Sequence, residues 1–336
     1  MNQQRCLKLT YNIYALRKKW KHIMDCNPAI MPTQSFEYYC YLFLAFYSRL
    51  FKVGRWRMTF HYYKNDKEEC IIPLIVNHKR KQIRSVSYYG RLDYDDVIST
   101  TNSLEFISET MGKICQLYPQ YRITWKNINE KCIVYTTLKD IAEIQEPCVS
   151  IELPTSYEQY YTSLSKHQRQ NIRTSYNRLN TDGISFSFQC YDSSKALNKL
   201  LWNKCEKLYT LRHNIDHCFM QRLRNPYHHI LVKHPQQKVF ILASDNKPIA
   251  YMAGLYNEQQ KIYYVPRLCI NDVYKKYSPG IILVNETIKY LINQGTSVLD
   301  LMEGDELYKI AMGGVVYNNY QIQKTTEDIL YYVYAS

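Results

Sequence analysis

Glycine is scarce in this chain, and the glycine-rich motifs of several enzyme classes are missing from it. Only 10 of the 336 residues are glycine. The sequence contains no G-x-x-x-x-G-K-[ST] loop, no G-x-G-x-x-G fingerprint and no G-x-S-x-G elbow. These motifs form the phosphate loop of P-loop enzymes, the dinucleotide-binding turn and the nucleophile turn of α/β-hydrolases. Their absence argues against all three classes.

Paired cysteines are also missing. The eleven cysteines include no C-x-x-C pair, and Cys70, Cys132 and Cys269 lie within apolar runs. This pattern indicates buried free thiols in a reducing compartment. The N-terminal segment has no apolar core of signal-peptide length, and the apolar segment 38–51 is too short to span a bilayer. We therefore expect a cytoplasmic protein without a transmembrane segment, in which 38–51 forms a buried helix.

Positive charge exceeds negative charge by a wide margin. The chain has 43 Lys and Arg against 30 Asp and Glu, which gives a formal charge of +13. Such an excess favours an anionic partner such as a nucleotide phosphate, nucleic acid, acidic lipid or acidic glycan. The alternative is a solvated basic surface with no partner. The length and a hydrophobic content of 46% predict two domains, each with its own core.

The order of predicted elements is the same in the two halves of the chain, namely strand, turn, strand, turn, strand, loop, helix, strand. We predict an α/β (α+β) fold with two tandem units, each a mixed, mostly antiparallel sheet flanked by helices. Two prolines near residue 150 indicate the boundary, which gives domains 1–150 and 151–336. The predicted strands are 55–64, 70–76, 83–90, 121–128, 238–244, 249–256, 261–268 and one from 297, and the helices are 104–118 and 280–293.

One helix of the second half begins in a way that suits phosphate binding. The segment YSPGIILVNETIKYLINQG (277–295) places a Pro-Gly turn before an apolar-periodic helix and a glycine after it. Backbone N–H groups at a helix N-terminus bind phosphates, and two lysines just before this helix would add positive charge. The candidate phosphate-binding residues are Lys275, Lys276, Ser278 and Gly280. The alternative is an ordinary helix cap beside two surface lysines.

The strand that follows this helix carries carboxylates. Asp300 lies between two leucines, where an ionised carboxylate is costly unless it is paired or used, and Glu303 and Asp305 lie just beyond the strand. These three are candidate catalytic bases, and Tyr308 is the candidate general acid. A backbone N–H of the 261–269 strand could stabilise the oxyanion that develops when a nucleophile attacks a carbonyl carbon. Alternatively, Asp300 is structural and binds Lys309 or an arginine of the basic helix described next.

The segment LSKHQRQNIRTSYNRLNTDG (164–183) predicts a strongly basic helix. Arg169 and Arg173 are four residues apart and therefore share a face. Two guanidinium groups on one face suit a carboxylate or phosphate. We predict that Arg169, Arg173 and Lys309 bind the anionic group of a substrate. The alternative is a solvated basic face.

The histidines give little indication of a metal site. His213 and His217 have helical spacing, with Cys218 adjacent and His228 and His229 downstream. However, no glutamate lies between the first two, and the H-E-x-x-H motif is missing. We predict that the chain binds no metal.

The combination YSPG-(helix)-G-x(4)-DLMEGDELYK resembles the C-terminal signature of the cellulose-biosynthesis-type (CelD/BcsL-like) branch of the GNAT acyltransferase superfamily. Residues 164–183 are similar to the basic helix that opens the same domain. The resemblance implies two GNAT-like domains, an acyl-CoA donor such as acetyl-CoA, and no metal. It also implies transfer of the acyl group to a small amine, such as an amino sugar or a precursor of the cell envelope or a polysaccharide.

The corresponding loop of the first half is acidic. The segment RLDYDDVISTTNS (91–103) contains Asp93, Asp95 and Asp96 where the second half has KKYSPG. Three carboxylates would repel a pyrophosphate, so we expect only the C-terminal domain to bind CoA. The acidic loop could face a cationic acceptor, or it could be an Asp-rich turn that caps a helix.

Two other functions remain open. Fem-type peptidoglycan aminoacyltransferases also pair two GNAT-like domains but take the acyl group from aminoacyl-tRNA, and the +13 charge suits tRNA as well as CoA. A non-catalytic binding module that keeps the fold is the third possibility, because the phosphate loop lacks further glycines.

Overall fold

The computed structural model describes residues 6–47, 54–88, 92–192, 199–212 and 234–335. These residues form two compact units. The first contains the described residues up to Glu146 and from Asn318 onward, and the second runs from Pro147 to Tyr317. The division into 1–150 and 151–336 stays a prediction, and the compact units differ from it at the C-terminal end.

The first unit contains one mixed sheet. Its strands are β1 (Cys6–Thr10), β2 (Arg57–Lys64), β3 (Glu69–Asn77), β4 (Gln82–Ser85), β5 (Ile98–Ser99), β6 (Arg122–Asn129) and most of β13 (Val315–Thr325). The order is β1-β2-β3-β4-β6-β13, with β5 beside β3. Among the described strands of this unit, only β4 and β6 pair in parallel.

Five helices accompany this sheet among the described residues. They are α1 (Arg17–Cys26), α2 (Phe36–Tyr47), α3 (Leu104–Leu117), α4 (Ile133–Leu138) and α10 (Thr326–Ala335). Apolar residues of α3 recur at helical spacing, and Phe106, Met111 and Ile114 are buried in one core with Ile329 and Val333 of α10. The C-terminal helix therefore contributes to the core of the first unit.

The second unit contains the remaining strands. They are the end of β7 (Glu143–Glu152), β8 (Ser187–Tyr191), β9 (Gln237–Ser244), β10 (Lys247–Asn257), β11 (Ile262–Ile270) and β12 (Val298–Glu303). The order is β7-β12-β11-β10-β9-β8, and within the described ranges only β11 and β12 are parallel. Its described helices are α5 (Tyr157–Ser163), α6 (Lys166–Thr181), α7 (Lys199–Arg212), α8 (Pro279–Asn293) and α9 (Leu307–Ala311).

The two units repeat one arrangement. In the first, the meander β2-β3-β4 is followed by α3 and then by β6, which lies parallel to β4. In the second, β9-β10-β11 is followed by α8 and then by β12, which lies parallel to β11. A parallel neighbour requires a crossover connection, and in each unit the helix supplies it. The predicted fold class and the predicted repeat of elements are confirmed.

Helix α8 is the central helix of the second unit. Its residues Ile282, Leu283, Ile288 and Leu291 are fully buried, and they pack with the sheet and with α6 in one core. Gly295 has φ of 70°, which confirms the predicted left-handed cap after this helix. The start of α8 is therefore held firmly by the packing of the rest of the helix.

Two other expectations concern burial. Cys70, Cys132 and Cys269 are buried free thiols, and burial raises the pKa of Cys70 to about 12. Most of the apolar segment 38–51 forms α2, while residues 48–51 lie outside the described residues. Within the described part of the chain, no helix is both long and apolar enough to cross a membrane.

Candidate functional site

The parallel strands β11 and β12 pair over only three residues each. The pairs are Ile262 with Val298, Tyr263 with Leu299 and Tyr264 with Asp300. Beyond Tyr264, no further pair joins the two strands among the described residues. The strands therefore separate at their carboxyl ends, and the backbone of β11 beyond Tyr264 is not paired with β12.

A glycine allows β11 to turn away. The register between β10 and β11 shifts between Ala253 and Leu255, so Gly254 lies opposite an irregular stretch of β11. A Cβ atom on Gly254 would lie 2.0 Å from the carbonyl oxygen of Tyr264. The close approach of these two backbones requires glycine, and it sets the point at which β11 leaves β12.

Asp300 is buried at the same point, with 4% of its surface exposed. The hydroxyl of Tyr317 lies 2.8 Å from both carboxylate oxygens, and the N–H of Met302 donates to Oδ1 at 2.8 Å. Met302 has φ of 57°, a left-handed conformation that is unfavourable for this residue type. Asp300 therefore stabilises an irregular turn of β12, and its partner Tyr317 was not identified from the sequence.

Lys309 is also buried, with its ammonium surrounded by acceptors. Its Nζ donates to the carbonyl oxygens of Leu301, Glu303 and Gly304 at 3.0, 2.7 and 2.9 Å. The Glu306 carboxylate lies 2.9 Å away. Contact between Lys309 and a substrate would require breaking one of these bonds, so the geometry favours a structural role over the predicted substrate-binding role.

The other candidate acid–base residues lie at the end of β12 and just after it, and Glu303, expected beyond the strand, is its last residue. Glu303 and Asp305 are exposed, and Gly304 between them has φ of 98°. Tyr308 is partly buried, and burial, followed by the Glu306 charge, raises the pKa of its hydroxyl. Tyr308 therefore holds its proton at neutral pH, as a general acid must.

The four candidate phosphate residues lie together at the start of α8. Ser278 has φ of 53°, and its carbonyl oxygen accepts from the N–H groups of Ile281 and Ile282 at 3.0 and 3.4 Å. Lys275 is exposed, and its ammonium makes no hydrogen bond or ion pair with any residue that the structure describes. The positive end of the α8 dipole and the Lys275 ammonium, which has no partner among the described residues, therefore belong to the same short stretch of the chain.

Lys276 is held by Asp182 instead. Its Nζ lies 2.7 Å from Oδ2, and the Tyr277 hydroxyl donates to the same oxygen at 2.5 Å. The hydrogen bond to Asp182 raises the pKa of Lys276, and the same bond lowers the pKa of Asp182. Sequence inspection identified Lys276 but missed Asp182, which belongs to a different element.

A cavity of about 560 Å³ adjoins this ion pair. It lies between the second half of α6 and the segment before α8. The residues that line it carry both signs of charge, hydroxyl groups and an amide, and they are Thr174, Asn177, Arg178, Thr181, Asp182, Lys276 and Tyr277. Arg178 donates to the carbonyl oxygen of Lys276 at 3.2 Å, which connects α6 to the start of α8.

The two arginines predicted to act together on α6 have different surroundings. Arg169 donates to the carbonyl oxygens of Thr162 and Leu164 at 2.9 and 2.6 Å, so it stabilises the turn before the helix. Arg173 is exposed, and its guanidinium has no hydrogen bond or ion pair within the described ranges. Only Arg173 has its guanidinium uncommitted, and the paired role stays a prediction.

In the first unit, side-chain hydrogen bonds join β4 and β6 at the position where the corresponding strands of the second unit, β11 and β12, separate. Ser85 Oγ accepts from the N–H of Lys126 at 3.0 Å, and Ser87 Oγ donates to the carbonyl oxygen of Lys126 at 2.9 Å. Asp95 accepts from the N–H of Ser87 at 3.0 Å. The bonds of Ser85 and Ser87 to Lys126 connect β4 and the turn after it to β6, just beyond the last parallel pair, Arg84 with Thr124.

Carboxylates of the acidic loop make hydrogen bonds within the first unit. Asp96 accepts from the N–H groups of Ile133 and Val134 at the start of α4, which matches the helix-capping alternative. Asp93 is partly exposed, whereas Asp95 is buried. At least two of the three carboxylates are therefore used inside the first unit.

Metal binding is not indicated by the described residues, among which no three His, Cys, Asp or Glu side chains form a group that could hold an ion. His213, His217, Cys218, His228 and His229 lie outside the described residues. The predicted lack of a metal site stays a prediction.

Comparison with known proteins gives a match to one family model within the second unit and a similar fold for almost the whole chain. Residues 166–310 match the sequence model of a family described as an acetyltransferase (GNAT) domain. A comparison with curated proteins finds no match. The matched range contains every candidate site residue, and the GNAT part of the resemblance is confirmed. The CelD/BcsL-like branch stays a prediction.

Several solved structures are similar over almost the whole chain. A conserved protein of unknown function from Bacteroides thetaiotaomicron VPI-5482 has a TM-score of 0.59 at 9% identity, covering 95% of this chain and 100% of that chain. L-PGS from Bacillus licheniformis has a TM-score of 0.58 at 10% identity, covering 95% of each chain. FemX has a TM-score of 0.57 at 10% identity, covering 98% of this chain and 99% of that chain. Identity this low shows a shared fold alone.

Proposed function

We propose that this protein is an acyl-CoA-dependent N-acyltransferase whose donor binds to the second unit. The separation of β11 from β12 beside the N-terminus of α8 is the observation that carries the proposal. The match of 166–310 to an acetyltransferase domain supports it.

The donor would bind along two features of the second unit. The pyrophosphate lies at the first turn of α8, close to Lys275 and the Ser278–Gly280 backbone, because this end of the helix carries partial positive charge. The acyl-bearing arm enters between β11 and β12 beyond Tyr264. A backbone N–H of β11 there stabilises the oxyanion that develops on the thioester carbonyl.

The reaction needs one proton acceptor and one proton donor. The amine nitrogen attacks the thioester carbonyl carbon, the C–S bond breaks, and the nitrogen loses a proton. Glu303 or Asp305 takes this proton, since both carboxylates are exposed where an acceptor would arrive. Tyr308 gives its proton to the leaving thiolate. Asp300 acts indirectly by holding the Met302 turn.

Calorimetry with CoA tests the donor site through Lys275. We expect Lys275→Ala to weaken CoA binding about tenfold, because a charge-assisted phosphate contact contributes on the order of 1.5 kcal/mol. Lys247→Ala, at another exposed lysine of the same unit, is the matched control and should bind CoA like the wild type. Equal affinity in all three proteins would refute the phosphate assignment.

A second candidate is transfer from aminoacyl-tRNA. Helix α6 carries Lys166, Arg169, Arg173 and Arg178 and contains no acidic residue, which favours a polyanion. The structural similarity to FemX concerns the fold alone. Thermal unfolding with CoA or with deacylated tRNA separates the alternatives, because only the true donor raises the melting temperature. Stabilisation by neither would favour a binding module without catalysis.

A further inference from the structure

Helix α9 has the reverse of an ordinary amphipathic pattern. Lys309 is 3% exposed, whereas Leu307 is 87% exposed and Ile310 is exposed on the same short helix. A surface helix normally buries leucine and leaves lysine in water, because burial of apolar area is favourable and desolvation of an ammonium is not. The three carbonyl acceptors described above compensate Lys309, but none of the described residues of the second unit covers Leu307.

The packing that follows α9 fixes this orientation. The N–H of Gly314 donates to the carbonyl oxygen of Lys309 at 3.0 Å. A Cβ on Gly314 would lie 2.3 Å from Cγ1 of Val149, and Gly313 has φ of 87°. Because both glycines are required, α9 cannot rotate to bury Leu307 without breaking this turn.

The exposed apolar residues of this region lie close together in the chain. We use the name apolar rim for Leu307 and Ile310, which lie three residues apart on α9 and are both exposed. Two exposed carboxylates, on Glu303 and Asp305, come directly before the rim, while the exposed Glu306 is paired with Lys309. An apolar surface and a patch of negative charge are thus combined at the end of β12.

We propose that the apolar rim binds the hydrocarbon chain of the acceptor, and that the acceptor's ammonium group lies against Glu303 and Asp305. Charge complementarity selects this occupant, because the carboxylates attract a cationic head group and repel an anionic lipid surface. The inference rests on the proposed function, in which the same carboxylates remove a proton from the amine. It narrows the acceptor to an amine carried on an apolar chain.

Calorimetry with primary alkylamines, below their micelle concentrations and without any donor, tests the rim directly. We expect the affinity to rise about twofold per added methylene from butylamine to decylamine. That is half of the roughly fourfold gain that 0.8 kcal/mol per fully buried methylene would give. Leu307→Ser with Ile310→Ser should remove this dependence on chain length. Leu117→Ser, at an exposed leucine of the first unit, should leave it unchanged.

A second set of binding measurements tests the role of the Glu303 and Asp305 carboxylates. Glu303→Gln with Asp305→Asn should weaken every amine by about the same factor and leave the chain-length dependence intact. Decyl sulfate should bind at least tenfold more weakly than decylamine. Affinity that is independent of chain length, equal binding of decyl sulfate, or rim variants that bind like the wild type would each overturn the inference.

Other occupants of the rim would give different results. Sedimentation with phosphatidylcholine vesicles that is lost in the rim variants would assign the rim to a lipid surface. Concentration-dependent dimerisation lost in the same variants would assign it to a second copy of the chain. Either result overturns the acceptor proposal. If decylamine binds at the rim while CoA binds nowhere, the rim is supported and the acyltransferase function is refuted.

Discussion

Two buried charges, on Asp300 and Lys309, hold the backbone at the end of β12. Asp300 accepts a hydrogen bond from the N–H of the left-handed Met302. Lys309 donates hydrogen bonds to three carbonyl oxygens at the end of β12 and just after it. Both groups are compensated inside the second unit, so neither needs a ligand to offset its burial. The exposed Glu303 and Asp305 are left as the carboxylates that an incoming amine can reach.

Substitution of these carboxylates should separate structure from catalysis. We expect Asp300→Asn to lower the free energy of unfolding by about 1–3 kcal/mol, because Tyr317 or Met302 loses its acceptor. Glu303→Gln should keep the stability of the wild type and lower kcat by about 10²–10⁴, the range for loss of a general base. Urea unfolding and CoA-release kinetics measure the two effects, with Glu258→Gln as an exposed control. A stable Asp300→Asn protein with kcat reduced in that range would return the base to Asp300.

The buried Asp95 should make the first unit sensitive to pH. Burial raises its pKa to about 7, above the ordinary value of 3.8, so between these values the folded state binds more protons than the unfolded state. Its contribution to stability is therefore present below about pH 4 and is lost as the pH rises to about 7. The slope is at most about 1.4 kcal/mol per pH unit.

Asp95→Asn should remove this loss. The difference in unfolding free energy between variant and wild type should grow from pH 4 to pH 7 and then stay constant. Burial lowers the pKa values of His61 and His234 to about 4, so these two groups make the folded state less stable as the pH falls below 6.5. Both proteins share this effect, so it cancels in the difference between their unfolding free energies. Asp25→Asn, at an exposed aspartate, is the control. Parallel stability curves for Asp95→Asn and the wild type would contradict the expectation.

At the scale of elements, the divergence of β11 from β12 depends on a few backbone positions. Gly254 admits the carbonyl of Tyr264, and Met302 adopts a left-handed conformation where β12 shifts register against β7. Irregularities in neighbouring strands of one sheet are typical of positions next to functional sites. The opening is therefore built into the strands themselves.

Gly254→Ala tests this dependence. A methyl group 2.0 Å from the Tyr264 oxygen forces the backbones apart, so we expect a loss of about 3 kcal/mol in urea unfolding and weaker CoA binding. Gly183→Ala is the control, because nothing lies within 4 Å of its added Cβ, and its positive φ alone should cost about 1 kcal/mol. Equal losses in the two variants would show that β11 does not depend on the close approach.

The sequence predicts the elements better than it predicts their contacts. The β9-β10-β11 meander and α8 were predictable, because alternating or helical apolar patterns run between clear turn residues. Strand β13 was missed, since its sequence VVYNNYQIQKT mixes polar residues into both faces. The partner of Asp300 lies on that strand, so the structural role of the carboxylate could be suspected but the tyrosine could not be identified.

At the scale of the whole molecule, the two units share one fold but differ where the parallel strand pair of each unit ends. In the second unit β11 and β12 separate, and a helix N-terminus with an uncommitted lysine lies close in sequence. In the first unit Ser85, Ser87 and Asp95 join or border β4 and β6, and a carboxylate is buried at the same place. Repetition of a fold therefore does not imply repetition of a site.

This asymmetry predicts that each chain binds a single CoA molecule. Calorimetry should give a stoichiometry of one, and Gly280→Asp should abolish binding, since a carboxylate at the first turn of α8 would repel the pyrophosphate. Circular dichroism should show that Gly280→Asp remains folded, because a Cβ at this position meets only Ile270 Cγ2 at 3.4 Å. Asp95→Asn should bind CoA like the wild type. A second equivalent of CoA that persists in Gly280→Asp would place a donor site in the first unit, where the bonds of Ser85 and Ser87 to Lys126 would have to open to admit it.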